Sequence, residues 1–224
     1  MLAEMGRIPN MKGIGLELAG VEVTDRGYIK VNEQLQTTAP GVWAIGEVAI
    51  SPQFTHISVD DFRVVYDSIT DSKRVTAGRL VSFCVFTDPE LARVGLSEKE
   101  AKMKGIAYRL FKIPMEAVMR ATTLSETRGF LKAPVEVDGN CILGFTAFGV
   151  DAGEIMSCAQ IAMMAVLPYT ALRDAILTHP TLARGLITLF SSSPSTPGPA
   201  DANIGRRQER PSKHLVPTAT SRLY

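Results

Sequence analysis

Between residues 79 and 190, apolar and polar positions follow well-punctuated rhythms. "LVSFCVF" (80–86) is a continuous β-branched and aromatic run, the pattern of a buried strand. Ser97 with Glu100 forms a capping box, and Gly105 stops the helix it opens. "AYRLFKIP" alternates like a half-buried strand. "GFLKAPVEV" and "CILGFTAFG" flank Asp138-Gly139-Asn140, a hairpin signal. "DAGEIMSCAQIAMMAVL" (151–167) is apolar almost all round, which predicts a buried helix capped by Asp151, and "YTALRDAIL" supplies another helix. The order strand, helix, strand, hairpin, helix, helix predicts an α+β layer, an antiparallel sheet with helices on one face.

The flanking regions differ. Residues 1–78 read as short strands, a turn at Asp25-Arg26-Gly27 and a helical stretch after Pro52. Residues 191–224 change abruptly to Pro, Ser and Thr with scattered Arg and Lys, too few apolar groups to offset chain entropy. Disorder is expected there, with a basic binding tail as the alternative.

Composition narrows the function classes. A net charge of +1 provides no basic field for nucleic acid. No apolar run approaches the roughly 18 to 20 residues that span a bilayer. "MLAEMGRIPN" lacks the layout of a signal peptide, so no membrane association and a cytoplasmic location are expected. Cys84, Cys141 and Cys158 are odd in number and far apart, which argues against a metal site or a local disulfide. Their apolar neighbours predict buried structural thiols.

Two stretches carry candidate chemistry. "TTAPGVWAIGEVA" (37–49) runs from a turn into a predicted strand, "VWAIG", that ends at Gly46 and is followed by the acid Glu47. A glycine there lets backbone approach a ligand, and a carboxylate accepts bonds from ligand hydroxyls; an ordinary turn after a buried strand is the plainer alternative. "THPTLARGL" (178–186) places His179 beside Pro180 at a predicted helix entrance, with Arg184 five residues on. Such a histidine is more often structural.

Taken together, these segments resemble the pyridine nucleotide–disulfide oxidoreductases, the family of dihydrolipoamide dehydrogenase, glutathione reductase and mercuric reductase. "TTAPGVWAIGEVA" resembles the family's second FAD-contacting segment, T-x-x-P-G-[IV]-[YW]-A-[IAV]-G-D, with Glu47 where the family has Asp. "MGRIPN" resembles the close of the NAD(P)-binding domain, and "PQFTHIS", with Phe54, Thr55 and His56, resembles the stretch whose backbone lies along the flavin. "FTDPELARVGLSEKEA", "RATTLSETRGFLK", "ILGFTAFGVDAGEIM" and "THPTLARGL" resemble successive parts of the dimerisation domain, the last two in wording closest to mercuric reductase. The resemblance implies a FAD/NAD(P)-binding remnant over 1–78, a dimerisation domain over 79–190 forming a homodimer, and FAD with NAD(P)H as cofactors. It also implies that His179 is the acid/base serving the partner subunit's redox disulfide. The family motif H-P-T-x-x-E supplies an orienting Glu; here Arg184 stands in that place, and an arginine cannot accept a hydrogen bond.

The sequence lacks the flavin and nucleotide loops G-x-G-x-x-G, the redox pair C-x-x-x-x-C and a vicinal cysteine pair near the C-terminus. It therefore reads as the C-terminal portion of a FAD-dependent NAD(P)H oxidoreductase, mercuric reductase-like and inactive alone. A separate N-terminal half is the expected partner. The alternatives are a non-enzymatic dimerisation module, a remnant of a truncated gene, or a full enzyme recorded as a fragment.

Overall fold

The computed structural model describes residues 6–70 and 73–195, in two compact units, Met1–Arg79 and Leu80–Tyr224. In the first unit the chain turns repeatedly and then enters helix α1, Thr55–Ile69. Asp25-Arg26-Gly27 forms the expected turn, closed by Gly27 N donating to Thr24 O at 2.8 Å. The predicted short strands shrink to isolated bridges, Val23 with Ile29, Val31 with Thr37 and Gln36 with Trp43. "VWAIG" is among them: it forms no strand, because its backbone bonds are spent locally. Thr37 N donates to Val42 O and Ala44 N to Leu35 O, and the chain then coils into a single 3₁₀ turn, Gly46–Ala49.

Helix α1 folds because Ile57, Asp61 and Val64 recur at helical spacing and turn to one side. Val64 joins Val21, Ile29, Leu35 and Ala44 in the unit's core. The opposite side of α1 leaves Val59, Phe62, Tyr66 and Ile69 exposed.

The second unit is built on a five-stranded sheet: β1 (Ser82–Val85), β2 (Glu90–Gly95), β3 (Tyr108–Pro114), β4 (Phe130–Glu136) and β5 (Gly144–Gly149). The spatial order is β1-β2-β5-β4-β3, and all neighbours run antiparallel. The hairpin around Asp138-Gly139-Asn140 joins β4 to β5, as the sequence predicts. One face of the sheet, carrying Ala92, Val94, Phe111, Leu131, Ala133, Phe145 and Ala147, is buried under helices α4 (Ala152–Met164) and α6 (Gly185–Ser191). Helix α2 (Glu98–Met103) starts at the full Ser97–Glu100 capping box, and Gly105 follows it at φ +65°. A short helix, α3 (Met119–Thr123), crosses from β3 towards β4.

Several expectations need correction. β1 is not buried: as an edge strand it is half-covered at best, and Phe86 beside it is 83% exposed. β2, a central strand, has no run of apolar residues to announce it, since Leu91 and Arg93 face away from Ala92 and Val94. α4 is buried on one side only, through Ala152, Ile155, Met156, Ala159 and Ala162, while Cys158, Ile161 and Met164 are exposed. Asp151 precedes that helix at φ 49° and its side chain makes no capping bond. "YTALRDAIL" yields only the five-residue helix α5, Tyr169–Arg173. Order also runs past Ser191: Leu110 and Ser195 exchange both backbone hydrogen bonds, at 2.8 and 2.9 Å. The rest of the predicted tail, 196–224, lies outside the described residues.

Candidate functional site

In the first unit the cofactor-contact candidates lie on one turn and the helix start that follows it. Gly46 has φ +72°, a conformation that disfavours other residues, and a Cβ there would press on Ser58 Oγ at 3.1 Å. Its amide donates to Asp61 Oδ2 at 2.7 Å. Asp61 is fully buried, and its other oxygen, Oδ1, accepts Arg79 Nη1 at 2.6 Å. Arg79 Nε lies 3.5 Å from Asp60 Oδ2, and Arg74 pairs with Asp60 Oδ1. Glu47, the next residue along, forms an ion pair with Arg7 of the "GRIPN" segment. Phe54 is extended and precedes α1; its ring stacks on His56 with centroids 5.3 Å apart, and Thr55 opens the helix, exposed.

The structure thus brings Gly46 and Glu47 together with three residues the sequence reading assigned no role: Arg7, Asp61 and Arg79. A signal for Asp61 existed. An aspartate deep inside a helix, at the buried spacing set by Ile57 and Val64, neither caps the helix nor favours it.

In the second unit His179 is exposed on an irregular loop joined to Pro180 by a cis peptide bond. The helix does not start there; α6 begins at Gly185. Thr181 organises the approach, its Oγ1 donating to Thr178 O at 2.9 Å and accepting Arg184 N at 3.3 Å. Gly185 lets α6 sit close to the core: a Cβ there would meet Val118 Cγ2 at 2.9 Å and Leu131 Cδ1 at 3.1 Å. Among the described residues neither the His179 ring nor the Arg184 guanidinium makes a hydrogen bond or ion pair.

The cysteines are not the buried thiols expected: Cys84 is half-buried, and Cys141 and Cys158 are exposed. Cys84 packs against the core, while Cys158 lies on the outer side of α4 and Cys141 beyond the hairpin turn. Partial burial, and then the nearby Glu90, Glu136 and Glu154 respectively, push the three thiols up from their ordinary range. Among the described residues no cluster of three His, Cys, Asp or Glu side chains is placed to hold a metal, and no helix is long and apolar enough to cross a membrane.

The first unit's glycine-centred turn with its adjacent acid and the second unit's one-sided antiparallel sheet both fall within regions shared with known proteins. Residues 81–189 match the pyridine nucleotide-disulphide oxidoreductase dimerisation domain, and residues 1–61 match the pyridine nucleotide-disulphide oxidoreductase domain; the chain belongs to this family. Among its relatives, it is 40% identical over 193 residues to the probable pyridine nucleotide-disulfide oxidoreductase RclA of Escherichia coli, covering 85% of this chain and 44% of that one. It is 37% identical over 187 residues to the dihydrolipoyl dehydrogenase of Thermus scotoductus, covering 84% and 40%. The solved structure of the HOCl-induced flavoprotein disulfide reductase RclA from Escherichia coli superposes with a TM-score of 0.80 at 40% identity, over 84% of this chain and 43% of that one. The chain spans less than half the length of these relatives.

Proposed function

We propose that this chain is the C-terminal, dimer-forming portion of a FAD-dependent NAD(P)H oxidoreductase of the disulfide reductase type, and that it is inactive alone. The observation that carries the reading is the Gly46–Glu47 turn, formed here with its left-handed glycine and its adjacent carboxylate. The residues present fit a flavin. Arg7 engages Glu47 Oε1, which leaves Oε2 to accept a hydroxyl of the sugar-like chain, and the exposed start of α1 at Thr55 follows the turn closely in the chain. Bound FAD would relay two electrons between NAD(P)H and the acceptor.

Two further roles belong to the same proposal. His179 holds and moves a proton at a ring nitrogen, but Arg184 cannot orient the ring as a carboxylate would. The homodimer forms through residues 79–190, with the exposed apolar side of α4 at its centre: Ile161 is 65% exposed, Met164 63% and Val166, just beyond, 54%. The pyrophosphate loop and the redox cysteines lie outside these 224 residues. A cytoplasmic location, without membrane or nucleic acid partners, completes the proposal. The test is NAD(P)H oxidation by the chain co-expressed with a family segment carrying the flavin loop and C-x-x-x-x-C. Turnover that needs both polypeptides supports the proposal; turnover by the chain alone, or none from the pair, contradicts it.

A further inference from the structure

We infer that Asp61, braced by Arg79, is a positioning residue that fixes the Gly46–Glu47 turn. The inference rests on the flavin reading of that turn given above.

A carboxylate with no exposed surface is costly unless both its oxygens are engaged, and a small apolar residue would fill the same place on α1 more cheaply. Asp61 lies too far along α1 to gain from the positive end of the helix. Its two oxygens go to groups distant in sequence: the Gly46 amide at 2.7 Å and Arg79 Nη1 at 2.6 Å. Arg79 is itself nearly covered, with a side chain 13% exposed, and is bracketed by Asp61 and Asp60. Arg74 completes the series on Asp60, so two acids and two arginines alternate and balance in charge.

What this network holds is a turn that does not hold itself. Gly46 at φ +72° and Ile50 at φ 62° both occupy the left-handed region, and Ile50 is a β-branched residue with no preference for it. The turn's own bonds are few, Ser51 N to Gly46 O at 3.3 Å and Ile50 N to Glu47 O at 3.1 Å; Ile29 N reaches Val48 O at 2.8 Å, but only Asp61 holds the Gly46 amide itself. The short bond to Asp61 fixes the orientation of the Gly46 amide, and Glu47 follows directly from it. Arg79 in turn fixes the Asp61 carboxylate, so that Oδ2 faces Gly46. Asp61 thus acts on the cofactor through Glu47, without touching it.

The test compares backbone amide exchange in the full chain for the wild type, Asp61→Ala and the double variant Asp61→Ala/Arg79→Met. The single variant strands a buried guanidinium and can unfold the unit; the double removes both charges together, which keeps the fold. In the double variant the Gly46 amide should exchange about ten- to a hundredfold faster, the range for losing a bond to a charged acceptor, while the Val64 amide in the same helix is unchanged. Unchanged exchange at Gly46, or faster exchange at Gly46 and Val64 alike, would overturn the inference. With a flavin-loop segment supplied, the double variant should bind FAD at least about tenfold more weakly at unchanged dimer mass, consistent with the same lost bond. Equal FAD affinity in wild type and double variant overturns the positioning role. A wild type that takes up no flavin refutes the flavin reading instead, and the Gly46 exchange then decides the clamp by itself.

Discussion

Thr181 Oγ1 accepts the backbone amide of Arg184 at 3.3 Å, and together with Gly185 N to Leu182 O at 2.9 Å and Leu186 N to Ala183 O at 3.0 Å this bond ties the His-Pro loop to the last helix. Arg184 is therefore placed by its backbone, and its side chain can be exchanged without dismantling the loop. Arg184→Glu should restore an acceptor within the loop that carries His179. General acid–base catalysis contributes typically about 10²–10⁴-fold, so recovering an orienting group should raise NAD(P)H-dependent turnover about tenfold or more in the assembled enzyme. Equal turnover, with equal melting temperature, would show that the arginine is harmless.

The exposed side of α4 should be the dimer seam. Ile161→Asp places a charge on that side without touching the core residues Ile155, Met156 and Ala159. Light scattering should report a dimer for the wild type and a monomer for the variant, with far-UV circular dichroism unchanged. A variant that remains dimeric would place the interface elsewhere.

How far the sequence disclosed this arrangement depends on the range of the interactions involved. Local devices were legible: the Ser97–Glu100 box, the Gly105 stop and the Asp138-Gly139-Asn140 hairpin each need only a few adjacent residues. The Gly46–Glu47 and His179 motifs were legible through family resemblance. The long-range choices were not. An apolar run such as "LVSFCVF" reads the same whether neighbours cover it or it forms a sheet edge, and β2 hides because Arg93 pairs outward with Glu100. Asp61 is the clearest case. Its partners Gly46 and Arg79 lie 15 and 18 residues away, and no periodicity connects them.

Acid should loosen the second unit through Glu100. Hydrogen bonds from the Ser97 side chain and backbone, and then Arg93, hold the Glu100 carboxyl down at about 2, against an ordinary value of 4.5. A depressed folded-state pKa contributes stability that is fully present above 4.5 and is lost as pH falls towards about 2. The side chain is 44% exposed, and solvent screening limits the effect to about 1 kcal/mol. Thermal melts between pH 5 and pH 2 should therefore fall less steeply, by about that amount, for Glu100→Gln than for the wild type. Parallel curves would show that the capping box carries no linked proton.

Close packing at Gly185 gives a stability prediction. Gly185→Ala would drive a methyl group into Val118 and Leu131, both at the centre of the core, and should cost about 1–3 kcal/mol by overpacking. Gly105→Ala, in open space but at φ +65°, serves as the comparison: it strains only its own backbone. Chemical denaturation should rank Gly185→Ala as the less stable of the two; the reverse order would contradict the packing described for α6.

The central claim is that these residues contact a flavin only as part of a larger assembly. Its most direct test is the flavin content of the purified chain, alone and after co-purification with a family segment that supplies G-x-G-x-x-G. The account predicts a colourless chain alone and close to one equivalent of FAD per chain in the assembly, read from the flavin absorbance band. A yellow chain carrying one equivalent by itself, or an assembly that forms and stays colourless, would contradict it.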